Sequence, residues 1–268
     1  MFEQELAFAN ELADRADEIS TSFFRGDFEV MRKPDETPVT EADLRIEETI
    51  RKELGARFPG DAVLGEEGGL EAGGGSDRVW VIDPIDGTKN FVRGVPVWAT
   101  LIALFDGEEP VVGLVSAPAL NRRWWAAKDV GAWTGRRLES ATRCHVSEVS
   151  DLADASLSYS SLSGWEERGA LDGFLDLTRS VWRTRAYGDF WSYCLLAEGA
   201  VDIACEPEVS VWDLAALDVI VREAGGRFTD LSGAPGPGGG SALATNGVLH
   251  DAALRRLRTP AAEGSAPA

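Results

Sequence analysis

Two aspartates at the end of an apolar stretch are the first sign of chemistry in this sequence. Asp83 and Asp86 follow residues 79–82, which are apolar, rich in β-branched types and typical of a buried strand. Pro84 is expected to end that strand, because proline has no backbone N–H to donate to a neighbouring strand. Two carboxylates this close repel each other unless a cation lies between them. The segment therefore predicts a divalent metal site whose remaining ligands lie elsewhere in the chain.

A search for those ligands finds more acids at the ends of predicted elements. Five carboxylates stand at strand ends or helix starts: Glu66, Asp83, Asp86, Glu206 and Asp213. Oxygen ligands in this number suit Mg²⁺, Ca²⁺ or Mn²⁺ and not Zn²⁺. The spacing of an EF-hand and the glycine-lysine pattern of a P-loop are both absent. Two of the acids have plain structural alternatives, since Asp213 suits a helix N-cap and Glu206 suits a solvated turn.

Asp43 has two interpretations that the sequence leaves open. Thr40 and Asp43 have the spacing of a capping box, so Asp43 is expected to close the start of a helix. The start of a helix also directs side chains and free N–H groups at one small region. Asp43 is therefore also a candidate to face a metal through a water molecule.

Composition excludes several classes of function. The 268 residues carry a net charge of −19, which disfavours binding to nucleic acids or anionic membranes. Three cysteines are too few for a disulfide framework, so a reducing cytoplasm is expected. The two histidines, His145 and His250, do not have metal-ligand spacing. No apolar run has the length of a membrane span, and the acidic start lacks the features of a signal peptide.

Hydrophobic periodicity predicts helices first and then antiparallel strands. An apolar stripe predicts a helix to about residue 24, and a second helix runs from Thr40 to about residue 58. Residues 25–38 are expected to form a loop or short hairpin, and glycine-rich 72–75 a flexible excursion. The predicted strands of this half are 62–64, 79–82, 99–105, 111–117, 122–127 and 131–134.

The pattern becomes alternating strand and helix after about residue 140. Strands are predicted at 155–159, 181–186, 201–205, 227–231 and 242–245, and helices at 165–179, 188–198, 214–224 and 248–257. We therefore expect an α+β part over 1–140 that carries most metal ligands and an α/β part over 141–259 that carries substrate residues. Residues 260–268 are rich in Pro, Ala, Gly and Ser and are expected to be disordered.

Three separated segments resemble the signature motifs of the inositol monophosphatase superfamily, in the same order. They are residues 65–67 (GEE), 80–88 (WVIDPIDGT) and 212–216 (WDLAA). The resemblance implies a layered αβαβα sandwich, usually a homodimer, that hydrolyses small phosphomonoesters. It also implies two or three Mg²⁺ per active site, for which Mn²⁺ is a possible substitute.

The resemblance also implies roles for individual residues. The metal ligands would be Glu66, Asp83, Asp86, Asp213 and the backbone carbonyl of Ile85. Glu66 and Thr88 would orient the attacking water with support from Asp43. Gly87 and Thr88 would offer backbone N–H groups to the phosphate. Glu67 and Lys89 would lie behind the metal ligands without binding the metal themselves. Asp86 and Asp213 would also contact the substrate.

Residues outside the shared motifs are expected to select the substrate. Asp189 stands where inositol phosphatases tend to carry a small residue, and with Glu206 it would form a second anionic wall. Such a wall favours a cationic amine or an imidazole over a neutral polyol, because it offers charge-assisted hydrogen bonds. Segments 183–190 and 206–213 are similar to the histidinol-phosphate phosphatase branch of the family. This similarity implies hydrolysis of L-histidinol phosphate, in which Asp189 and Glu206 contact the imidazole or amino group.

Other functions stay open at this point. Inside the enzyme class they are an inositol-1-monophosphatase, a 3′-phosphoadenosine-type phosphatase and a small-phosphomonoester phosphatase of broad specificity. Outside it, the chain could be a metal-binding regulatory relative that has lost catalysis. The presence of all the matched carboxylates together with Thr88 argues against that last alternative.

Overall fold

Two helices and a short pair of strands form the N-terminal region. The computed structural model describes residues 2–26, 29–32, 38–136 and 140–258. The predicted first two helices are confirmed as α1 (Glu3–Phe23) and α2 (Glu41–Arg57). Between them, β1 (Val30–Arg32) pairs antiparallel with β2 (Pro38–Thr40), as expected for a short hairpin. The predicted tail at 260–268 lies outside the described residues.

Eight strands build the first sheet. In chain order they are β3 (Ala62–Gly65), β4 (Gly69–Glu71), β5 (Arg78–Asp86), β6 (Ala99–Asp106), β7 (Glu109–Ala117), β8 (Arg122–Ala127), β9 (Gly131–Gly135) and β10 (Thr142–Arg143). The short helix α3 (Thr88–Val92) leaves the end of β5. The spatial order is β10-β9-β8-β7-β6-β5-β3-β4, antiparallel except where β3 runs parallel to β5. The predicted run of antiparallel strands is confirmed, whereas β4 and β10 were not predicted.

The expected strand end at Pro84 is wrong. Strand β5 continues to Asp86, with a shift of register between the Asp83–Leu101 pair and the Asp86–Ala99 pair. Pro84 lies inside this irregularity, where the ladder tolerates the missing N–H, and its carbonyl accepts a hydrogen bond from Thr100 Oγ1 at 2.8 Å. An irregular strand end changes the direction in which the following side chains project.

The second sheet has five strands flanked by helices. Its strands are β11 (Ser156–Ser158), β12 (Arg183–Arg185), β13 (Ile203–Glu206), β14 (Arg227–Thr229) and β15 (Ala242–Thr245), in the order β12-β11-β13-β15-β14. Strand β11 runs parallel to β12 and β13, and β15 runs antiparallel to its neighbours. The helices are α4 (Ser163–Glu167), α5 (Leu171–Ser180), α6 (Asp189–Ala197), α7 (Val211–Glu223) and α8 (His250–Leu257).

Two predicted helices differ in detail from the observed ones. The single helix expected over 165–179 is the pair α4 and α5, because Gly169 adopts a left-handed φ of 65° that ends the first of them. Helix α7 begins at Val211, with Ser210 as its N-cap, three residues before the start predicted at residue 214. Strands β11, β12 and β14 are shorter than predicted, and β13 begins two residues later than predicted.

Three apolar clusters define five layers. One cluster lies between α1 and α2 and one face of the first sheet. The next lies between the other face of that sheet, helices α6 and α7, and the second sheet. The third lies between the second sheet and α5 with α8. The order helix, sheet, helix, sheet, helix confirms the predicted layered αβαβα sandwich.

Neither the cysteines nor the histidines form a site. All three cysteines are free and buried. The imidazole of His250 is buried between the hydroxyls of Thr229 and Thr245, at 3.0 and 3.1 Å. Burial lowers the pKa of His250 to about 4, so this side chain is a neutral member of the core. Among the helices in the described ranges, none has the length and hydropathy required to cross a bilayer.

The middle helix layer packs against the first sheet without room for a side chain at Gly113. A Cβ at this position would overlap the carbonyl oxygen of Ala216 in α7. We expect Gly113→Ala to lower the free energy of unfolding by about 1–3 kcal/mol, because an overpacked core must shift its backbone. Gly55→Ala is the control, since nothing lies within 4 Å of its Cβ position and alanine favours a helix. Urea unfolding of both variants measures the difference, and equal midpoints would contradict the expectation.

Candidate active site

The predicted carboxylate cluster forms where β5 meets the start of α7. One carboxylate oxygen from each of Asp83, Asp86 and Asp213 lies within 4.8 Å of the other two. Asp83 and Asp86 are at the end of β5, and Asp213 is in the first turn of α7. The Ser210 N–H donates to Asp213 Oδ2 at 2.7 Å, so this residue takes part in the capping of its helix and also faces the cluster. Asp213 is therefore the third residue of its helix, in a capping box with Ser210, and not the N-cap that the sequence suggested. Its role as a metal ligand stays a prediction.

Glu66 reaches the same place from the neighbouring strand. It follows the last residue of β3, and its N–H donates to the carbonyl of Ile82 at 3.1 Å. Its charge raises the pKa of Asp83, after the larger effect of burial. Glu66 thus brings a fourth carboxylate to the cluster, and parallel pairing of β3 with β5 is what positions it.

The electrostatics of the cluster are unfavourable without a cation. Asp83 is 1 % exposed, and burial together with the charges of Glu66, Asp86 and Asp213 raises its pKa well above the usual range. Burial also raises the pKa of Asp213 to about 6, although the Ser210 N–H opposes the shift. Acids held this way are stabilised either by protonation or by a positive ion.

The donor set fits a hard metal ion. Asp83 Oδ1 is buried and has no hydrogen-bond partner, and a carboxylate oxygen is an acceptor that a cation can satisfy. The ligand atoms in reach are all oxygens, with no cysteine or histidine among the grouped residues. Such a set is able to bind Mg²⁺, Mn²⁺ or Ca²⁺.

Asp43 takes part in the capping of a helix and lies near enough to Glu66 to be affected by its charge. Its Oδ2 accepts a hydrogen bond from the Thr40 N–H at 2.8 Å, which completes the predicted capping box. Its Oδ1 is buried without a partner, and Asp43 is wholly buried. Burial raises its pKa to about 6 against the effect of the Thr40 bonds, and the charge of Glu66 adds to the shift. One oxygen therefore serves the fold, and the other is free for the site.

The turn after β5 places a hydroxyl beside a backbone carbonyl. Thr88 Oγ1 donates to the carbonyl oxygen of Ile85 at 2.9 Å. Gly87 has a φ of 83° and precedes the first residue of α3, and a Cβ there would lie 3.0 Å from the Val97 carbonyl oxygen. Glycine is required at this bend for both reasons. The lone pairs of the Thr88 oxygen stay available to a water molecule or to a substrate.

Asp189 lies across the cleft in a strained conformation. Its φ of 47° is in the left-handed region, which non-glycine residues rarely adopt. The Asn90 amide donates to Asp189 Oδ2 at 3.1 Å and also to the Val97 carbonyl. Burial raises the pKa of Asp189, and the positive charge of Lys89 opposes the shift. Strain of this kind persists where several contacts hold a residue in place.

Glu206 is buried at the end of β13, so a solvated turn is the wrong interpretation. It is 6 % exposed, and burial raises its pKa to about 8. The Ser160 hydroxyl donates to Glu206 Oε1 at 2.6 Å, and Ser160 Oγ accepts a hydrogen bond from the Asp189 N–H at 2.8 Å. One serine therefore orients both acids of the predicted anionic wall.

The two groups of acids share one cleft of about 1120 Å³. Among the predicted site residues, its walls include Glu66, Asp86, Gly87, Thr88, Lys89, Asp189, Glu206 and Asp213. The two groups are also joined directly, because the Phe190 N–H at the start of α6 donates to Asp86 Oδ2 at 2.7 Å. Glu67 stands at the edge of the site, with its N–H bonded to Glu47 Oε2 at 2.8 Å.

Sequence reasoning missed three residues that hold these acids in place: Ser160, Asn90 and Glu47. Ser160 lies in a run of serines that gives no signal of its role, and the hydroxyl of its neighbour Ser161 bonds to that of Ser163 instead. Asn90 carries a weak signal, since it directly follows the motif at 80–88. Glu47 lies on the buried face of α2. The only signal in the sequence was an acidic residue at a buried position, because acids are rarely buried without a partner.

Comparisons with known proteins agree with the fold and the cluster. A family model described as the inositol monophosphatase family matches residues 1–263, and the chain belongs to this family. A histidinol-phosphatase of Streptomyces coelicolor is 63% identical over 258 residues, covering 94% of this chain and 96% of that protein. A histidinol-phosphatase of Mycobacterium tuberculosis is 60% identical over 259 residues, covering 96% and 99%.

A solved structure supports the same placement. An inositol monophosphatase from Zymomonas mobilis superimposes with a TM-score of 0.85 at 30% identity, covering 97% of this chain and 99% of that one. The predicted superfamily and its fold are therefore confirmed.

Proposed function

We propose that this protein is a Mg²⁺-dependent phosphomonoesterase that hydrolyses L-histidinol phosphate to L-histidinol and phosphate in histidine biosynthesis. The observation that carries the proposal is the second pair of acids, Asp189 and Glu206, in the cleft that also holds the carboxylate cluster. The two histidinol-phosphatases of Streptomyces coelicolor and Mycobacterium tuberculosis support it, because they match nearly the whole chain. Mn²⁺ is a possible substitute for Mg²⁺.

Glu66, Asp83, Asp86, Asp213 and the carbonyl of Ile85 would hold the metal ions, two or three per site. When bound, such ions supply positive charge to the phosphate oxygens and lower the pKa of coordinated water. This local charge also explains how so acidic a protein accepts an anionic substrate.

The chain's own groups align the reaction. The Thr88 hydroxyl donates to the Ile85 carbonyl, so its oxygen would accept a hydrogen bond from the attacking water. Glu66 would help to orient the same water, with Asp43 in a supporting position. Gly87 and Thr88 would donate backbone N–H groups to the phosphate oxygens. Water forms the new P–O bond as the ester P–O bond breaks, and histidinol leaves with a proton.

The leaving group would lie against Asp189 and Glu206. Its amine or imidazole carries N–H donors, and a carboxylate acceptor makes charge-assisted hydrogen bonds with them. Glu206 has a pKa of about 8 because it is buried, so binding of a cation is expected to displace a proton from it. A neutral polyol gains none of this charge interaction.

A comparison of two substrates tests the proposal. Phosphate release from histidinol phosphate and from inositol-1-phosphate is measured with Mg²⁺ under the same conditions. We expect kcat/KM to be at least about tenfold higher for histidinol phosphate, the difference that one charge-assisted bond supplies. Equal values would indicate a broad-specificity phosphatase, the reverse order an inositol-1-monophosphatase, and no release from either a regulatory relative.

Ser160→Ala is expected to raise KM for histidinol phosphate about three- to tenfold, with a smaller change in kcat. The hydroxyl orients Glu206 and the Asp189 N–H together, and a hydrogen bond contributes about 1 kcal/mol. Steady-state kinetics measures the split between KM and kcat. Ser161→Ala is the matched control, because that exposed hydroxyl pairs with Ser163. Equal KM values for the two variants would contradict the role of Ser160.

We also propose a cytoplasmic homodimer that binds no nucleic acid and no membrane. The strong negative charge supports the absence of polyanionic partners. We also propose the division into a part over 1–140 and a part over 141–259. The two separate sheets support it, although β10 (Thr142–Arg143) pairs with the first sheet. Sedimentation analysis at several concentrations tests the dimer.

A further inference from the structure

Glu47 is a buried acid that bonds to the turn carrying Glu66. It lies in α2 and is 3 % exposed. Its Oε2 accepts the Glu67 N–H at 2.8 Å, and its Oε1 accepts the Gly68 N–H at 2.7 Å. One carboxylate thus receives the two backbone donors that follow Glu66 in the chain.

The backbone of residues 65–68 lies in close contact with the Glu47 carboxylate. A Cβ added at Gly65 would overlap the Glu47 carboxylate, and one at Gly68 would lie 2.7 Å from its Oε1. Neither position therefore accepts a side chain unless Glu47 moves. Gly65 and Gly68 flank Glu66 and Glu67. Because they have no side chains, the backbone of the turn packs directly against the Glu47 carboxylate.

Arg51 completes the contact from the next turn of α2. Its Nε donates to Glu47 Oε1 at 2.8 Å, which balances the buried charge. Its Nη1 donates to the Val63 carbonyl at 3.2 Å and its Nη2 to the Gly69 carbonyl at 2.6 Å. Glu47 therefore holds the N–H groups of the turn, and Arg51 holds carbonyls of the two strands that flank it.

A firm attachment matters because the charges of the cluster oppose the position of Glu66. The charge of Glu66 raises the pKa of Asp83 and Asp213, which means that the three carboxylates repel one another. The same helix carries Asp43 one turn earlier, so α2 fixes two of the predicted site acids at once. Without the contact to Glu47, repulsion favours movement of the turn away from Asp83.

We infer that Glu47 is a positioning residue that holds Glu66 in place to bind the metal. The inference rests on the proposed function, since it takes Glu66 as a metal ligand. Glu47 itself touches neither substrate nor metal, and it acts through the backbone of residues 67 and 68. A residue that orients a metal ligand from behind typically changes metal affinity by 10- to 100-fold when it is replaced.

Glu47→Gln tests the inference, with Glu48→Gln as the matched control. Glu48 is the next residue of the same helix and is exposed, so both variants lose one charge from one segment. Mn²⁺ binding is measured without substrate, by electron paramagnetic resonance of the free ion. We expect Glu47→Gln to weaken Mn²⁺ binding about 10- to 100-fold and Glu48→Gln to change it less than about twofold. At saturating Mg²⁺, kcat of Glu47→Gln should recover to within about threefold of the unmodified protein.

A second variant disturbs the same contact from the other side. Gly68→Ala keeps Glu47 but places a methyl group against its Oε1, and it should weaken Mn²⁺ binding in the same way. The double variant should lose little more Mn²⁺ affinity than the more impaired of the two single variants, because both substitutions disturb the same contact. If Glu47→Gln does not fold by circular dichroism, Gly68→Ala carries the test.

The possible outcomes separate the two proposals. Absence of Mn²⁺ binding by the unmodified protein would overturn the metal site, and with it the proposed function. Normal binding by both Glu47→Gln and Gly68→Ala would overturn only the role of Glu47. A lower melting temperature without a change in Mn²⁺ affinity would assign Glu47 a purely structural role and also overturn the inference.

Discussion

Replacement of Asp83 by Asn should reduce phosphate release at least about 1,000-fold and at the same time stabilise the metal-free protein. The activity falls because a buried ligand loses the charge that binds the metal, and the proposed reaction depends on that ion. The stability rises because Asp83 lies wholly buried among other acids, which makes its charged form unfavourable. We expect a gain on the order of 2 kcal/mol at pH 8, or several degrees in melting temperature.

The stability gained by Asp83→Asn should increase with pH. The pKa of Asp83 is raised in the folded state above the usual 3.8, so the unmodified, metal-free protein loses stability as the pH rises. Well below the usual pKa of 3.8 the carboxyl is neutral in both states, so the advantage of Asn should become small as the pH falls to about 4. Thermal unfolding in a chelator from pH 4 to pH 8 measures the difference.

A matched control separates this effect from a general effect of charge. Asp77→Asn removes the same charge from an exposed position just before β5 and should change neither activity nor stability. In the unmodified protein Mg²⁺ should raise the melting temperature, whereas in Asp83→Asn it should not. An Asp83→Asn variant that keeps a tenth of the activity, or that is less stable at pH 8, would contradict this account.

Asp189→Asn should lower kcat/KM for histidinol phosphate about 10- to 100-fold, mostly through KM. The change removes one charge-assisted hydrogen bond to the cationic part of the substrate. Asparagine tolerates the left-handed φ of 47°, and its oxygen can still accept the bond from Asn90, so the backbone is expected to stay in place. Inositol-1-phosphate should be hydrolysed as before or faster, because it carries no positive charge.

The control for this variant lies in the same cleft. Glu208 lines the cleft but is exposed and pairs with Arg168 at 2.9 Å, so Glu208→Gln should alter KM less than about threefold. An unchanged KM for histidinol phosphate in Asp189→Asn would show that this acid does not select the substrate. An equal loss on both substrates would instead indicate a general disturbance of the site.

Much of the fold follows from local pattern. The apolar stripe of α1 and the capping box of α2 are signals within a single element, and both helices have the expected bounds to within one or two residues. The prediction that β5 ends at Pro84 failed. Its missing N–H excludes a regular ladder, but only the pairing with β6 reveals that the strand continues through an irregularity. The break between α4 and α5 was missed because nothing in the local pattern shows that Gly169 adopts a positive φ.

The opening pair of aspartates shows where the sequence alone is sufficient. Residue type and spacing already predicted a cation near Asp83 and Asp86, because two carboxylates close together repel each other. The positions of Glu66 and Asp213 at a predicted strand end and helix start added them as candidates, and the fold brings these acids to one place. Residue type and local spacing are therefore enough to identify these acids.

The supporting residues were decided by the tertiary structure. Ser160 meets Glu206 and Asp189, Asn90 meets Asp189, and Glu47 meets the turn at Glu67 only after two sheets and their helices have packed. Before folding, each is an ordinary polar residue, and its partners are distant in the chain. A hydrogen bond depends on separation in space to within a few tenths of an ångström, and residue type does not determine that separation. The sequence alone thus identified the acids that would carry the chemistry, whereas packing determined which residues hold those acids in place.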